Sequence, residues 1–320
     1  MIRSCVSWLT LLVLAMMVLC PPDVQAEIKI GVLIFSDEAR YQESFKGIKE
    51  QLARSGYKEP RVKFLMGNAA GSKAKAANLV RSFAADNLSL LITIGTNATV
   101  VAAREIKDIP IVFSQFYDPI GAGVAKSWNN SGTNATGVST MFDLSELVIR
   151  LQEVYPAKRL AVLYTPGESN TESQLRDLQK LQKKHGIEVL PVILAKKEDI
   201  VQILPDVMST VDAVYLSGSS VIGANLSQIV GLANNSKVIT ITMLEDLAEK
   251  GVMLAVCGDP YAFGVIAGKK AAAVLKGAKP SSIPIEHSIK PGLIINKKTA
   301  KAAQVEIPKA LLQKAIRVLE

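Results

Sequence analysis

Beyond residue 26 the chain has one cysteine, Cys257; the other two of its three, Cys5 and Cys20, lie in the first 26 residues. A single thiol cannot form an internal disulfide, so an oxidising compartment would not staple this fold. Cys257 follows the apolar run Val252 to Val256 and reads as a buried small hydrophobe. Histidine is as scarce. His185 and His287 are the two present, and neither has a second metal ligand nearby in sequence, which removes the usual zinc spacings. Lys184-His185-Gly186 reads as the end of a helix. Aromatic residues make up 5% of the chain and are not interleaved with its basic residues. The net charge of +8 is spread over helix faces, as at Lys180, Lys183 and Lys184, which describes a solvated surface and not a nucleic-acid footprint. No stretch after the amino terminus approaches the roughly 20 apolar residues a membrane span needs. Catalytic and cofactor signatures are also missing. Gly218-Ser219-Ser220-Val221-Ile222 lacks the final glycine of a nucleophile elbow. Gly121-Ala122-Gly123-Val124-Ala125-Lys126 is one glycine short of a dinucleotide fingerprint. No glycine-rich P-loop occurs, no cofactor is expected, and no DNA-reading segment precedes the first strand.

The amino terminus carries a pattern of its own. Arg3 gives a positive start, Leu9 to Cys20 is apolar, Pro21 and Pro22 break the run, and Val24-Gln25-Ala26 supplies a small-residue cleavage site. Residues 1–26 therefore read as a secretory signal peptide, and the mature chain from Glu27 works outside the cytoplasm. Removing them takes away Arg3 and Asp23, one charge of each sign, so the mature chain keeps the net charge of +8. A lipoprotein signal with Cys20 acylated is the other reading, but Leu19 stands where such signals want Gly, Ala or Ser.

From Glu27 onward, short apolar runs alternate with segments of helical period. Strands are expected at Ile28–Phe35, Val62–Met66, Leu90–Ile94 and Ile111–Phe113. Helices are expected at Glu38–Ser55, Ser72–Ala85 and Asn97–Glu105. The order then restarts with strands at Arg159–Tyr164, Ile187–Val192, Ala213–Leu216, Val238–Ile241 and Val252–Val256, and helices at Thr171–Lys184 and Glu198–Met208. Runs this short and apolar on both faces suit a parallel sheet covered by helices. Leu91-Ile92-Thr93-Ile94-Gly95-Thr96-Asn97 and Ala213-Val214-Tyr215-Leu216-Ser217-Gly218-Ser219 can be laid side by side, giving a pseudo-repeat of about 125 residues and an α/β fold of two doubly wound lobes. The chain is expected to cross between lobes near Gly137 to Asp143, Cys257 to Pro260 and Ser288 to Gly292. Lobe 1 would then be residues 27–140 plus about 260–288, and lobe 2 residues 141–259 plus about 292–320.

Ligands of open α/β sheets bind beyond the carboxyl ends of the strands, and those ends here are rich in small polar residues. Ser36, Gly95, Thr96, Asn97, Ser114, Gln115, Ser217, Gly218 and Thr242 are the candidates. Gly95-Thr96-Asn97 offers free backbone N–H groups and a hydroxyl to a carboxylate, or forms an ordinary helix cap. Asp259 has two readings, a partner for a ligand ammonium or the N-cap of a helix opening at Pro260. Asp118 before Pro119 has the same two and leans to the cap. Tyr164 and Tyr117 are candidate stacking contacts or packing residues.

Asp118-Pro119-Ile120-Gly121-Ala122-Gly123-Val124-Ala125-Lys126-Ser127, continuing through Gly132-Thr133-Asn134-Ala135-Thr136-Gly137-Val138-Ser139, resembles the periplasmic substrate-binding components of ABC importers, in the group that includes tryptophan- and tyrosine-binding proteins. Ala161-Val162-Leu163-Tyr164 with Glu168-Ser169-Asn170, Gly264 to Gly268, and Pro291-Gly292-Leu293-Ile294-Ile295-Asn296 through Ile307-Pro308 agree. The resemblance implies a type I periplasmic-binding-protein-like fold, two Rossmann-like lobes joined by a three-strand hinge. It implies a non-catalytic monomer that captures a small carboxylate-bearing solute by hinge closure and hands it to a membrane permease. Thr96 and Ser114 would hold the carboxylate and Asp259 the ammonium. Ser217-Gly218-Ser219-Ser220 departs from the Pro-x-Asp the family often has, so ligand identity does not carry over. Two other functions compete: a sensory protein of the same fold that presents its ligand to a receptor or kinase, and a secreted hydrolase using Ser219 or Ser220.

Overall fold

Alternating apolar runs decide the architecture. The computed structural model describes residues 27–287 and 290–320. The expected signal peptide, with Cys5 and Cys20, and part of the third expected crossing, at Ser288 and Ile289, lie outside the described residues. The first unit runs β1 (Ile28–Ile34), α1 (Ala39–Arg54), β2 (Val62–Asn68), α2 (Lys73–Ala85), β3 (Leu90–Ile94), α3 (Thr96–Glu105), β4 (Ile111–Phe116) and β5 (Ala135–Ser139). Its five strands lie in the order β2-β1-β3-β4-β5, every pair parallel. All five residues of β3 and all six of β4 are buried, as expected of strands covered on both faces.

After a short connection the second unit begins with α4 (Ser145–Val154), β6 (Arg159–Tyr164), α5 (Ser169–Lys180), α6 (Gln182–His185), β7 (Glu188–Ile193), α7 (Lys197–Met208) and β8 (Ala213–Leu216). It continues with α8 (Ser220–Ala224), α9 (Leu226–Asn235), β9 (Ile239–Thr242), α10 (Glu245–Glu249) and β10 (Leu254–Cys257). The remaining elements are α11 (Pro260–Leu275), β11 (Gly292–Asn296), α12 (Lys297–Ala302), α13 (Lys309–Leu312) and β12 (Arg317–Leu319). The second sheet has the order β12-β11-β10-β9-β8-β6-β7. It is parallel except where β11 runs antiparallel to β10. Successive side chains of a strand point to opposite faces, and the two cores of this sheet follow that rule. Leu160, Val162 and Tyr215 pack on one face, while Ala161, Leu163, Val214 and Leu216 pack on the other.

Three departures from the sequence pattern have local causes. The helix expected over Thr171–Lys184 starts two residues earlier and divides at Leu181 into α5 and α6; Gly186, left-handed at φ 58, ends it. The strand expected at Val252–Val256 is β10, which starts two residues later and ends one later, because Val252 and Met253 belong to the turn out of α10. β4 extends to Phe116, beyond the expected Phe113, through a register shift against β5.

Helix α11 follows the second sheet in sequence yet packs its phenylalanine and alanine face into the core of the first unit, through Phe263, Ala267 and Ala271. Its contact with α1 is close enough to need glycine. A Cβ on Gly264 would stand 2.0 Å from the Ser44 carbonyl oxygen, and one on Gly47 would stand 2.3 Å from that of Tyr261. No helix among the described residues is long and apolar enough to cross a membrane.

Candidate ligand-binding site

The carboxyl ends of β3 and β4 face those of β8 and β9 across a small cavity of about 30 Å³. Arg40, Tyr41, Thr96, Gln115 and Tyr117 line it from the first unit, and Thr140 from the crossing segment after β5. Asn170, Gln174, Gly218, Met243 and Leu244 line it from the second. A roomier hollow of about 360 Å³ lies beside Trp128, Phe142, Lys180 and His287, but none of the buried unpartnered side-chain atoms belongs to its walls. The small cavity holds two such atoms, Gln115 Nε2 and Asn170 Oδ1.

Local structure explains how these groups arrive there. Gly95 turns the chain from β3 into α3 at φ 103, a region that side chains rarely enter. A Cβ there would also sit 2.9 Å from the Tyr41 hydroxyl. The turn places Thr96 at the cavity, where its Oγ1 accepts a hydrogen bond from the Tyr117 backbone N–H at 3.4 Å. Gln115 occupies the register shift between Phe113 and Phe116 and has φ 55. A bulge re-aims a side chain, and here it sends Gln115 to the cavity while Ser114 turns the other way. Asn170 is the second residue of α5; its Nδ2 donates to the Gly218 carbonyl at 3.0 Å, which fixes the amide and leaves Oδ1 free.

The margins of the cavity are bridged between units. Arg40 Nη1 donates to Asp246 Oδ2 at 2.7 Å, with both side chains buried at 7% and 2% exposure. Burial works against the Arg40 charge, but Asp246, Tyr41 and Glu38 outweigh it and hold the guanidinium above its ordinary pKa. The Tyr117 hydroxyl donates to Asp177 Oδ2 at 2.9 Å, Ser173 Oγ to Asp118 Oδ2 at 3.1 Å, and Lys73 Nζ to the Gly167 carbonyl. Tyr117 leaves the end of β4 and packs into the core of the second unit. Burial, with Asp177 beside it, raises its pKa, and burial pushes Tyr41 up to about 12, so both stay neutral hydroxyls. Glu168, at the start of α5, accepts from the Ser220 backbone N–H at 3.4 Å and has a buried Oε2 without a partner. Burial raises its carboxyl above the ordinary range.

Of the thirteen positions singled out from sequence, Thr96, Gln115, Tyr117 and Gly218 line the cavity. The other nine do not, each for a physical reason. Ser114 Oγ shares a hydrogen bond of 2.8 Å with Ser44 Oγ and is spent on packing α1. Thr242 Oγ1 donates to the Leu216 carbonyl at 2.8 Å and accepts from the Leu244 N–H, closing the turn after β9. Ser36 bonds Glu38. Asp259 caps α11 through the Tyr261 N–H at 2.8 Å. It opens on a separate hollow with Glu43, Glu245, Glu249 and Arg317, so its cap reading describes the structure and its place is outside the cavity. Tyr164 is half-buried against the second unit's core. Gly95 shapes the turn, Asn97 is buried in the first turn of α3, and Ser217 is buried behind Gly218 with its hydroxyl unpartnered. Asp118 caps its turn through the Gly121 N–H at 2.7 Å and also meets Ser173. Ser219 Oγ accepts from Val221 and Ile222 N–H groups and bonds Thr165 Oγ1 at 2.6 Å. That is a helix cap and not a poised nucleophile.

Arg40, Tyr41, Thr140, Asn170, Gln174, Met243 and Leu244 line the cavity without having been singled out. Asn170 carried the clearest signal, in the Glu168-Ser169-Asn170 segment after β6. Arg40 gave none, because its helix-face position is ordinary and its role depends on Asp246, distant in sequence.

Comparison with known proteins agrees with this architecture. The pattern of the family described as ABC transporter substrate binding protein matches residues 29–319. A tyrosine-binding protein of Clostridioides difficile (strain R20291) is 26% identical over 287 residues, covering 89% of this chain and 83% of that one. An ABC domain from Streptococcus pneumonia, solved in complex with L-Trp, superposes with a TM-score of 0.87 at 29% identity, covering 92% of this chain and all of that one. A conserved domain protein from Vibrio cholerae gives 0.86 at 27% identity, covering 91% and 99%. Two parallel-sheet lobes with a cavity between their strand ends make the fold type I periplasmic-binding-protein-like, and the chain belongs to the ABC transporter substrate binding protein family.

Proposed function

We propose that the protein captures a small amino-acid-like solute outside the cytoplasm, closes its two lobes over it, and delivers it to the permease of an ABC importer. One observation carries this reading: a cavity walled by both lobes at their strand ends holds polar groups with no protein partner, Gln115 Nε2 and Asn170 Oδ1. Most buried polar groups find a partner, and these two stand at a cavity between the lobes, so a ligand is the partner we assign them. The relatives named above carry tyrosine in a name and L-Trp in a complex, which makes aromatic amino acids the first solutes to try. Lobe 1 would comprise residues 27–140 and about 260–288, lobe 2 the rest of the mature chain, with the segments around 140, 258 and 290 as the hinge. Export would follow cleavage after Ala26, and the mass of the mature amino terminus distinguishes this from acylation at Cys20.

The test is a thermal-shift screen of the twenty L-amino acids, purines and small organic acids. A ligand at 100 times its dissociation constant should add about 2.7 kcal/mol of stability. No shift with any amino acid removes the amino-acid reading, and a saturable shift with a purine or organic acid alone replaces it.

A further inference from the structure

We infer that Gln115 and Asn170 decide which solutes the cleft accepts, reading a donor–acceptor pair on a molecule of no net charge: Gln115 donates from the first lobe and Asn170 accepts from the second. The inference rests on the capture reading above and adds the chemistry of selection to it.

The two groups are complementary and unspent. Gln115 is 9% exposed and its Nε2 has no partner. Asn170 uses its Nδ2 on Gly218 and keeps a buried acceptor free. Gln115 also holds a left-handed backbone at φ 55, a conformation uncommon for residues other than glycine. The fold keeps that strain where it aims one amide into the cavity.

Charge supplies the rest of the argument. Among the residues lining the cavity, Arg40 is the charged one, and it is already paired with Asp246 at 2.7 Å. A solute bearing one net charge would be buried against no free counter-charge, which disfavours it. A zwitterion brings its own compensation, its carboxylate toward Gln115 and its ammonium toward Asn170. Asp259, the one acid expected to hold an ammonium, caps α11 outside the cavity.

The test uses calorimetric titration of the mature protein with three probes that share one ring: L-tryptophan, the cation tryptamine and the anion indole-3-propionate. The wild type should bind L-tryptophan at least about tenfold more tightly than either singly charged probe. Gln115→Gly, which keeps the left-handed backbone, and Asn170→Ala should each weaken L-tryptophan about tenfold or more. Gln115→Glu should reverse the ratio of L-tryptophan to tryptamine affinity, a change that a merely structural role would not produce. Circular dichroism melting of each variant shows whether it folds, and the affinity ratio remains readable in a destabilised one. A wild type that prefers either charged probe, or variants with unchanged ratios and affinities, overturns the inference while leaving capture intact. If the wild type binds no probe and shifts with no solute in the thermal screen, the capture reading itself fails and takes this one with it.

Discussion

Asp246→Asn separates closing from folding. In the structure the Arg40 guanidinium and the Asp246 carboxylate meet at 2.7 Å with almost no exposure, and they come from different lobes, so in the proposed capture the pair belongs to the closed state. Opening the cleft would return both to water, so removing the carboxylate charge penalises the closed state far more than the open one. Two unit charges about 4 Å apart attract by about 4 kcal/mol at an effective dielectric near 20. Desolvation offsets part of this, and removing one member of a buried pair costs roughly 3–5 kcal/mol. Taking about 3 kcal/mol as the shift in closure, the affinity of a solute that binds the closed form should fall about 100-fold. Asp246 is not among the cavity walls, so the loss would not be a lost ligand contact. The assay pairs calorimetric titration of L-tryptophan, or of whichever amino acid the thermal screen identifies, with ligand-free melting. Weakened binding with a melting temperature within about 2 °C of wild type is the expected result. A melting temperature lowered by the full effect, with affinity unchanged, would show that the pair serves folding and refute the reasoning.

Three further outcomes follow from single residues. The buried Glu168 carboxyl, with Lys73, Glu38 and Ser220 around it, is raised above its ordinary 4.5 by desolvation; its neutral form is favoured in the fold, so its cost is absent below the ordinary value, grows as pH rises from there to the raised pKa, and is constant above it. Glu168→Gln should therefore leave the melting temperature near wild type at pH 4 and raise it at pH 7, and a benefit confined to low pH would reverse the sign of the argument. Burial pushes the Cys257 thiol up to about 12, leaving roughly one thiolate in 10⁴ at pH 8. A disulfide reagent should titrate no thiol in the native mature chain and one in guanidinium, and rapid native labelling would contradict this. Gly264→Ala should cost about 2 kcal/mol or more in a denaturant melt because its Cβ meets the Ser44 carbonyl at 2.0 Å. Gly231→Ala, with open space around it in α9, should gain about 0.5–1 kcal/mol, and equal effects at the two sites would refute the packing argument.

The fold was legible where local rules decide it. β3, β6 and β8 begin and end at the residues their apolar runs mark, because a strand buried on both faces must be apolar throughout. Ser72 was legible as a boundary of α2 because its hydroxyl accepts the Lys75 N–H. The site was legible only in depth. Residues at strand ends lie near the cavity, but which of two neighbours reaches it depends on tertiary structure. Ser114 and Gln115 are adjacent, and Ser114, with Thr96, is expected to hold a carboxylate. The irregularity between β4 and β5 turns Gln115 inward and leaves Ser114 on Ser44. Nothing in the local pattern of β4 marks that shift. Arg40 and Asn170 were harder still, since each begins a helix of ordinary composition and gains meaning from the opposite lobe.

The cavity and its margins divide the chemistry between them. Groups that meet across the lobes include the ionic pair Arg40–Asp246 and the Tyr117–Asp177 and Ser173–Asp118 hydrogen bonds. These interactions need no ligand, and each of them would be lost on the proposed parting of the lobes. The groups left without partners in the centre are neutral carboxamides. A charge placed there would bind any oppositely charged solute of suitable size, whatever its shape. A carboxamide offers one donor or one acceptor in a fixed direction and gains only when the ligand matches it, since an unmatched buried group costs about 1–3 kcal/mol. In the proposed capture, closure energy held at the rim and selection held at the centre would let the protein stay near the balance between open and closed until a matching solute tips it. A shift of closure toward completion needs differential affinity for the closed form, and the unsatisfied amides of Gln115 and Asn170 are where that difference arises.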